Sequence, residues 1–304
     1  TRSRGLGDVY KRQHRGGTRR TDVIVNVSDI ARGLALGDDG IWRSPETASV
    51  SYPSDGNEAC FALEDASFWF QHRNQCIVSA IRAFPPAERG AIFDIGGGNG
   101  FVAKGIEAAG FPVALVEPGP SGARNARTRG LQTVICSTLE SARFTRASLP
   151  AIGLFDVLEH VEDDERFLRE LKPLLVDGGA VYLTVPAYPF LWSDADSTAG
   201  HYRRYRLGAL KALFDQSGFE IQFATYFFRP LVAPVFLGRT LPSLLRISRS
   251  AASDRKAARE HGTGQSPVTR FFLKSLSAEP GNIAQAKSMS FGASCLVVAT
   301  RRPR

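Results

Sequence analysis

Asp94-Ile-Gly-Gly-Gly-Asn-Gly100 constrains this chain more than any other segment. It follows the apolar run Ala91-Ile92-Phe93 and leads into Phe101-Val102-Ala103-Lys104, a stretch suited to open a helix. Strand, glycine turn and helix in that order let a ligand approach the backbone with no side chain in the way. A second apolar run, Val113-Ala-Leu-Val116, ends at Glu117, whose carboxylate is suited to accept hydrogen bonds from both hydroxyls of a ribose. A nucleoside-containing ligand is the expectation. The glycine spacing narrows it: a nicotinamide fingerprint reads Gly-x-Gly-x-x-Gly, whereas Gly96, Gly98 and Gly100, with Gly97 besides, put the third glycine one place early. Asp94 would repel a pyrophosphate but suits a cationic ammonium. S-adenosylmethionine carries an ammonium, a sulfonium and a ribose, and it matches Asp94, the open turn and Glu117.

The rest of the chain alternates strand and helix. A helix is expected from Glu64 to Phe84, capped by Asp65 or Ser67 and ended by Pro85-Pro86. Strands are expected at Ala91–Ile95, Val113–Glu117, Leu131–Cys136, Ala151–Phe155, Ala180–Val185, Phe219–Phe227 and Phe291–Ala299. Helices are expected at Phe101–Ala109, Ser121–Thr128, Asp163–Leu174 and Leu207–Ser217. Such alternation implies an α/β fold, with a parallel sheet, helices on both faces and ligands at the carboxyl ends of the strands. Four units follow: a tail at 1–20, an irregular lead-in at 21–60, a core at 61–228 plus 291–301, and an insertion or lid at 229–290. Within the insertion, a polar linker spans about 249–268 and a short amphipathic helix spans Arg270–Leu276.

With these motifs in order, the chain resembles the class I S-adenosylmethionine-dependent methyltransferases, and specifically the ubiquinone-biosynthesis O-methyltransferases. Phe93–Gly100 resembles the family's first motif and Val116-Glu117-Pro118 its second; Phe155-Asp-Val-Leu-Glu-His-Val161 resembles the segment after strand four, and Gly178–Pro186 strand five. The resemblance covers roughly 60–228 and the final strand. It implies a Rossmann-like seven-stranded, mostly parallel sheet whose last strand is antiparallel. It also implies a donor site of Asp94, Gly96, Gly97, Gly98, Gly100, Glu117 and Pro118, with Asp156 facing the cofactor. Where many members place an acid beside the adenine, this chain has Cys136-Ser137-Thr138, so Ser137 or Thr138 is expected to take that contact.

Methyl transfer from a sulfonium requires alignment of a nucleophile and exclusion of water, with a base only when the nucleophile is a weak acid such as a hydroxyl. His160 and His201 are the candidate bases, each weighed against a purely structural hydrogen-bonding role. Tyr188, Trp192 and Tyr202 are candidate walls of an acceptor pocket, and Arg203 and Arg204 a candidate clamp for a carboxylate or phosphate, unless Asp194 or Asp196 pairs with them. Trp69, His72 and Arg73 are candidates to close over methionine and acceptor, with core packing the alternative for the tryptophan. Glu159 is expected to cap or pair. The acceptor reading is an oxygen of a small or lipid-linked molecule that carries an acidic group in one version. Alternatives are C- or N-methylation of a sugar or other metabolite, and a cofactor-binding regulatory or scaffold protein without turnover.

Composition excludes more than it assigns. The cysteines Cys60, Cys76, Cys136 and Cys295 are scattered with no CxxC pair, which points to free thiols in a reducing compartment and to no metal site. The net charge of +8 comes largely from residues 1–20, where seven Lys/Arg face one acid, Asp8; removing that +6 leaves +2 for the remainder. Asp8-Val-Tyr-Lys-Arg-Gln13 resembles the translated end of a sequencing adapter, so the tail is expected to be non-native. No stacking platform interleaved with basic residues supports nucleic-acid binding. No apolar run approaches a membrane span, and a cytoplasmic protein is expected. The 229–247 stretch is apolar, punctuated by Pro230, Pro234 and Pro242 and by Arg229, Arg239 and Arg246. Peripheral membrane contact, a dimer surface and a buried cap are its three readings.

Overall fold

A single mixed sheet organises the molecule, in the order β1-β2-β5-β4-β3-β6-β7-β9-β8. The computed structural model describes residues 25–45, 61, 63–87, 90–245 and 274–302. The tail at 1–20, Cys60, Arg246, the 249–268 linker and the first part of the Arg270–Leu276 helix lie outside the described residues. The strands are β1 (Ala35–Leu36), β2 (Ile41–Arg43), β3 (Ile92–Ile95), β4 (Val113–Val116), β5 (Val134–Cys136), β6 (Leu149–Phe155), β7 (Leu175–Pro186), β8 (Phe219–Phe227) and β9 (Ser294–Arg301). The seven from β3 to β9 are the expected core, with β9 antiparallel to both β7 and β8. The sheet has nine strands rather than seven, because the lead-in is not wholly irregular. Ile41, Trp42 and Arg43 pair in parallel with Val134, Ile135 and Cys136, and β1 folds back on β2.

The central strands are buried on both faces, as parallel strands sandwiched between helices must be. Period-two alternation divides them between two cores: Phe93, Ile95, Ala114 and Val116 enter one, while Ile92, Val113 and Leu115 enter the other. Asp94 shares the parity of Ile92 and therefore projects toward the second core. That core is covered by three helices: α2 (Phe68–Ala83), α3 (Phe101–Ala108) and α4 (Pro120–Thr128). The short α1 (Val27–Ile30) belongs to the other face. A Cβ at Gly105 would sit 2.1 Å from the Asn74 amide, so the absence of a side chain there sets how closely α3 approaches α2.

Between β5 and β8 the chain adds α5 (Leu139–Ala142), α6 (Asp164–Leu171), α7 (Asp194–Thr198) and α8 (Leu207–Gln216). Past β8 it leaves through a 3-10 turn (Arg229–Leu231), α9 (Val232–Val235), a π-helical turn (Phe236–Thr240) and α10 (Leu241–Leu244). It returns through α11 (Glu279–Ala284). The excursion is tied at its root by Glu279, which is 3% exposed. One Glu279 oxygen accepts from the Phe228 N–H and from His72 Nε2, both at 2.8 Å, and the other accepts from the Arg229 N–H at 2.8 Å. One carboxylate thus joins α2, the end of β8 and α11. Glu279→Ala would leave the buried Phe228 N–H and the part-buried Arg229 N–H without an acceptor. It should cost about 3 kcal/mol in urea unfolding, read as a lower midpoint at unchanged m-value; a loss below about 0.5 kcal/mol would show that the latch is not structural.

Candidate active site

The glycine turn forms because only glycine enters its backbone conformations cheaply. Gly96, Gly98 and Gly100 have φ of 69°, 52° and 75°. A Cβ on Gly97 would come within 2.5 Å of Leu115 Cδ1 and 2.6 Å of Asp94 Oδ2, so the turn lies directly over that carboxylate. Glu117 is oriented by two backbone groups: Gly98 N–H donates to Oε2 at 2.9 Å and Gly119 N–H to Oε1 at 2.7 Å. Burial pushes its carboxyl up, and these two bonds offset part of the rise. Each oxygen keeps a further lone pair for a hydroxyl.

Asp94 is fully buried, and neither of its oxygens has a hydrogen-bond partner among the described residues. Burial pushes its pKa up to about 7; the charge of Arg73 and the nearby Ala103 N–H pull it down too weakly, and Glu117 adds to the rise. A buried carboxyl without a partner is costly unless a ligand supplies one. An orphaned acid beneath an open glycine turn, beside a carboxylate with room for hydroxyls, fits the ammonium and ribose of S-adenosylmethionine.

At the adenine end both candidate hydroxyls already make local hydrogen bonds. The Thr138 hydroxyl accepts from Ser141 N–H at 3.1 Å and caps α5, while buried Ser137 donates to the Thr138 carbonyl at 3.0 Å. Pro118 lies half-buried beside Glu117. On the covering helix, Arg73 pairs with Asp156 and lies over the Trp69 ring, its guanidinium carbon 4.9 Å from the centroid. Trp69 in turn stacks on Phe228 at 5.3 Å and 5°. Asp156 is held from its other side by Thr184 Oγ1, which donates at 2.9 Å. His72 is 4% exposed and engaged by Glu279, so the structure places it in the latch rather than on a pocket wall.

The second cluster forms where the turn after β6 meets residues 193–205. Tyr202 N–H donates to the Glu159 carbonyl at 2.7 Å, and Tyr205 Oη donates to Asp164 at 2.8 Å, which dock the two segments. His160 and His201 meet edge to face with ring centres 4.7 Å apart. Burial, and then the neighbouring His201, bring His160 down to about 4, so its imidazole is neutral at pH 7. His201 Nδ1 bonds Asp196 Oδ1 at 3.0 Å. Asp196 is also held by Arg204 Nε at 2.7 Å and by the Ser193 N–H at 2.9 Å. Burial works to raise its pKa, yet His201 and Arg204 outweigh it and hold the carboxyl at about 2.

Of the two readings of the arginines, the structure shows pairing rather than an open clamp. Arg204 is paired with Asp196, and Arg203 with Asp164 at 3.0 Å and with the Glu162 carbonyl. Glu159 departs from its expected capping or pairing role: it is 1% exposed with no hydrogen-bond partner on either oxygen. Burial, and then Asp156, push its carboxyl well up. Tyr188 stacks between Phe190 at 5.2 Å and Tyr226 at 4.9 Å; Trp192 is half-buried and Tyr202 exposed. Three non-glycine residues adopt left-handed backbone at three neighbouring strand ends: Asp156 after β6, Tyr188 after β7 and Phe228 after β8. Such strain concentrates where side chains are aimed for function, and nothing in these residue types announced it.

Comparisons with known proteins bear on the family and the fold. A search of curated protein sequences finds no significant match. Among solved structures, a Haloferax volcanii methyltransferase determined with its Trm112 activator aligns with TM-score 0.51 and 14% identity, over 83% of this chain and 95% of that one. Haemonchus contortus phosphoethanolamine N-methyltransferase 2, in complex with phosphomonomethylethanolamine and S-adenosylhomocysteine, aligns with TM-score 0.51 and 16% identity. There the match covers 84% of this chain but spans only 58% of the nematode protein. A Thermotoga maritima S-adenosylmethionine-dependent methyltransferase aligns with TM-score 0.50 and 18% identity, over 82% of this chain and 100% of that one. At these identities the likeness is one of fold. The family model described as a methyltransferase domain matches residues 69–222, half of the chain. The chain therefore belongs to that family, and the protein is an S-adenosylmethionine-dependent methyltransferase.

Proposed function

We propose that the protein methylates an oxygen atom of a small or lipid-linked acceptor, with the donor held by Asp94, the Gly96–Gly100 turn and Glu117, and the acceptor beside His160 and His201. The observation that carries this reading is the pairing of an orphaned buried carboxyl under the glycine turn with a neutral imidazole across Asp156 from it. Asp156 acts electrostatically on Glu159 and His160, which ties the two halves together.

S-adenosylmethionine, when bound, supplies a methyl group already activated for in-line displacement by its sulfonium. The chain's residues have to bind, orient and keep water out. Asp94 takes the ammonium, Glu117 the ribose hydroxyls, and Pro118 and Ser137 the adenine end. Trp69 and the Arg73–Asp156 pair close the covering helix over the donor. His160, neutral at pH 7, is the group that accepts an acceptor hydroxyl's proton, while Asp196 fixes the tautomer of His201. Trp192, Tyr188 and Tyr202 form the acceptor's surroundings. Because Arg203 and Arg204 are held in ion pairs, support for an acidic group on the acceptor is weak. Support for an apolar or lipid-linked acceptor is better: a 610 Å³ cleft lined by Phe190, Pro230, Val232, Ala233, Phe236 and Phe291 opens beside Arg229. The excursion is docked on the acceptor segment, with Thr240 Oγ1 donating to the Leu191 carbonyl and Ser243 Oγ to Asp194. Leu237, Leu244 and Leu245 are more than 60% exposed on it, next to Arg239, which favours peripheral contact with an anionic membrane. No helix among the described residues is long and apolar enough to cross one.

Three measurements test this reading. The ionised form of Asp94 holds the ammonium, and burial keeps the group protonated below about pH 7. Calorimetric affinity for S-adenosylhomocysteine should therefore rise between pH 6 and 7.5, with proton release; Asp94→Asn should abolish that slope and weaken binding about tenfold at pH 7.5. A variant whose affinity matches the parent's at both pH values would remove Asp94 from the donor site. His160→Ala and His201→Ala, assayed separately on an acceptor panel, should each lower kcat by about 100-fold or more; retained turnover in either removes that histidine from the mechanism. The protein should cosediment with anionic vesicles at low salt and be released as salt rises. Failure to associate at low salt would count against the membrane contact.

A further inference from the structure

We propose that Glu159, His160 and His201 form a binding site for a divalent transition-metal cation. One carboxylate oxygen and one ring nitrogen from each histidine lie within 4.8 Å of one another. A cation about 2.1 Å from each ligand sets donor pairs about 3–4 Å apart, so small side-chain rotations complete the set. Two imidazoles and one carboxylate, with the remaining positions open, suit zinc, manganese, iron or cobalt rather than magnesium or calcium.

The strongest support is Glu159 itself. Its side chain is almost wholly buried, and both oxygens lack a hydrogen-bond partner among the described residues although they border two imidazoles. A native structure seldom leaves such a group without something to bind. The histidines are prepared in the way metal ligands are. His201 donates Nδ1–H to the Asp196 carboxylate, itself clamped by Arg204 and Ser193, which leaves the lone pair on Nε2. His160 lies against the Gly200 backbone and offers a ring nitrogen to the cluster. A carboxylate partner such as Asp196 fixes ring orientation and raises ligand basicity.

A second cluster on the same molecule supplies the contrast. His72, Cys76 and Glu279 also bring three ligand atoms within 4.8 Å. There, however, the carboxylate accepts from two backbone N–H groups and from His72, so its bonding capacity is already committed to the latch. Among the described residues, only the Glu159 cluster combines the ligand set with an unsatisfied carboxylate. It lies at the acceptor side, where a cation would orient an acceptor through its oxygen atoms and, with His160 ligating, would polarise the acceptor hydroxyl in place of proton transfer to that imidazole. That orienting role rests on the oxygen-acceptor reading above, whereas the metal site does not.

The test is titration of chelator-treated full-length protein with Co²⁺, followed by its visible absorption bands, with S-adenosylhomocysteine affinity measured on the same samples. One Co²⁺ per chain is expected. Glu159→Gln and His201→Ala should each weaken Co²⁺ binding at least tenfold. Asp196→Asn, which changes the hydrogen-bond partner of His201 and not a ligand atom, should weaken it about 10-fold or more. S-adenosylhomocysteine affinity within twofold of the parent reports that each variant is folded. Absence of Co²⁺ uptake by the parent protein overturns the proposal, as does uptake that none of the variants reduces, since the ion then binds elsewhere. Co²⁺ binding with no S-adenosylhomocysteine binding would support this proposal while sinking the donor-site assignment.

Discussion

The pairing of β9 with both β7 and β8 governs the rest of this structure. Ser294–Arg301 enters antiparallel between two strands that precede it in the chain, and it matches Leu296 with Thr184 on one side and Thr225 on the other. Because β9 must lie next to β8, the 229–290 excursion has to leave and return at the same end of the sheet. That is also the end where β3, β4, β6 and β7 present their carboxyl termini. Glu279 closes the root of the excursion by accepting the first two N–H groups after β8. The covering helix, the acceptor segment and the apolar cap are thereby brought around one opening.

Three acids near that opening show how environment divides one chemistry into several. Asp196, given His201, Arg204 and Ser193 as partners, stays ionised and positions an imidazole. Asp94, whose burial outweighs the pull of Arg73 and the Ala103 N–H, titrates near neutrality and is poised for a cationic ligand. Glu159 is buried with no hydrogen-bond partner on its oxygens among the described residues, and burial followed by Asp156 pushes its carboxyl well up. The same functional group therefore serves to orient, to hold the donor, and in our inference to ligate a cation, according to which donors lie within reach.

Much of this was legible in the sequence, for identifiable reasons. The seven core strands announce themselves by continuous apolar runs, and Phe219–Phe227 was bounded to the residue by Gly218 before it. The donor side was legible because glycine spacing and an acid at a strand end are local features. Strands β1 and β2 were not, since two or three residues in a polar stretch become strands only through a distant partner, Val134–Cys136. The pairing of Arg204 with Asp196 was an alternative legible eight residues away, whereas that of Arg203 with Asp164, 39 positions distant, was not. His72 read as a pocket residue because its partner, Glu279, lies 207 positions away. The left-handed backbone at Asp156, Tyr188 and Phe228 had no glycine to mark it.

The place of β9 also bears on how the protein is made. During synthesis, β8 emerges well before the strand that covers its open side, and about seventy residues must follow before Ser294–Arg301 is available. Through that interval Phe223, Tyr226 and Phe227 belong to an uncovered apolar edge, the sort of surface that recruits other chains. Ribosome-associated chaperones would find their target there, and premature stops before residue 294 should yield aggregating products rather than smaller working enzymes.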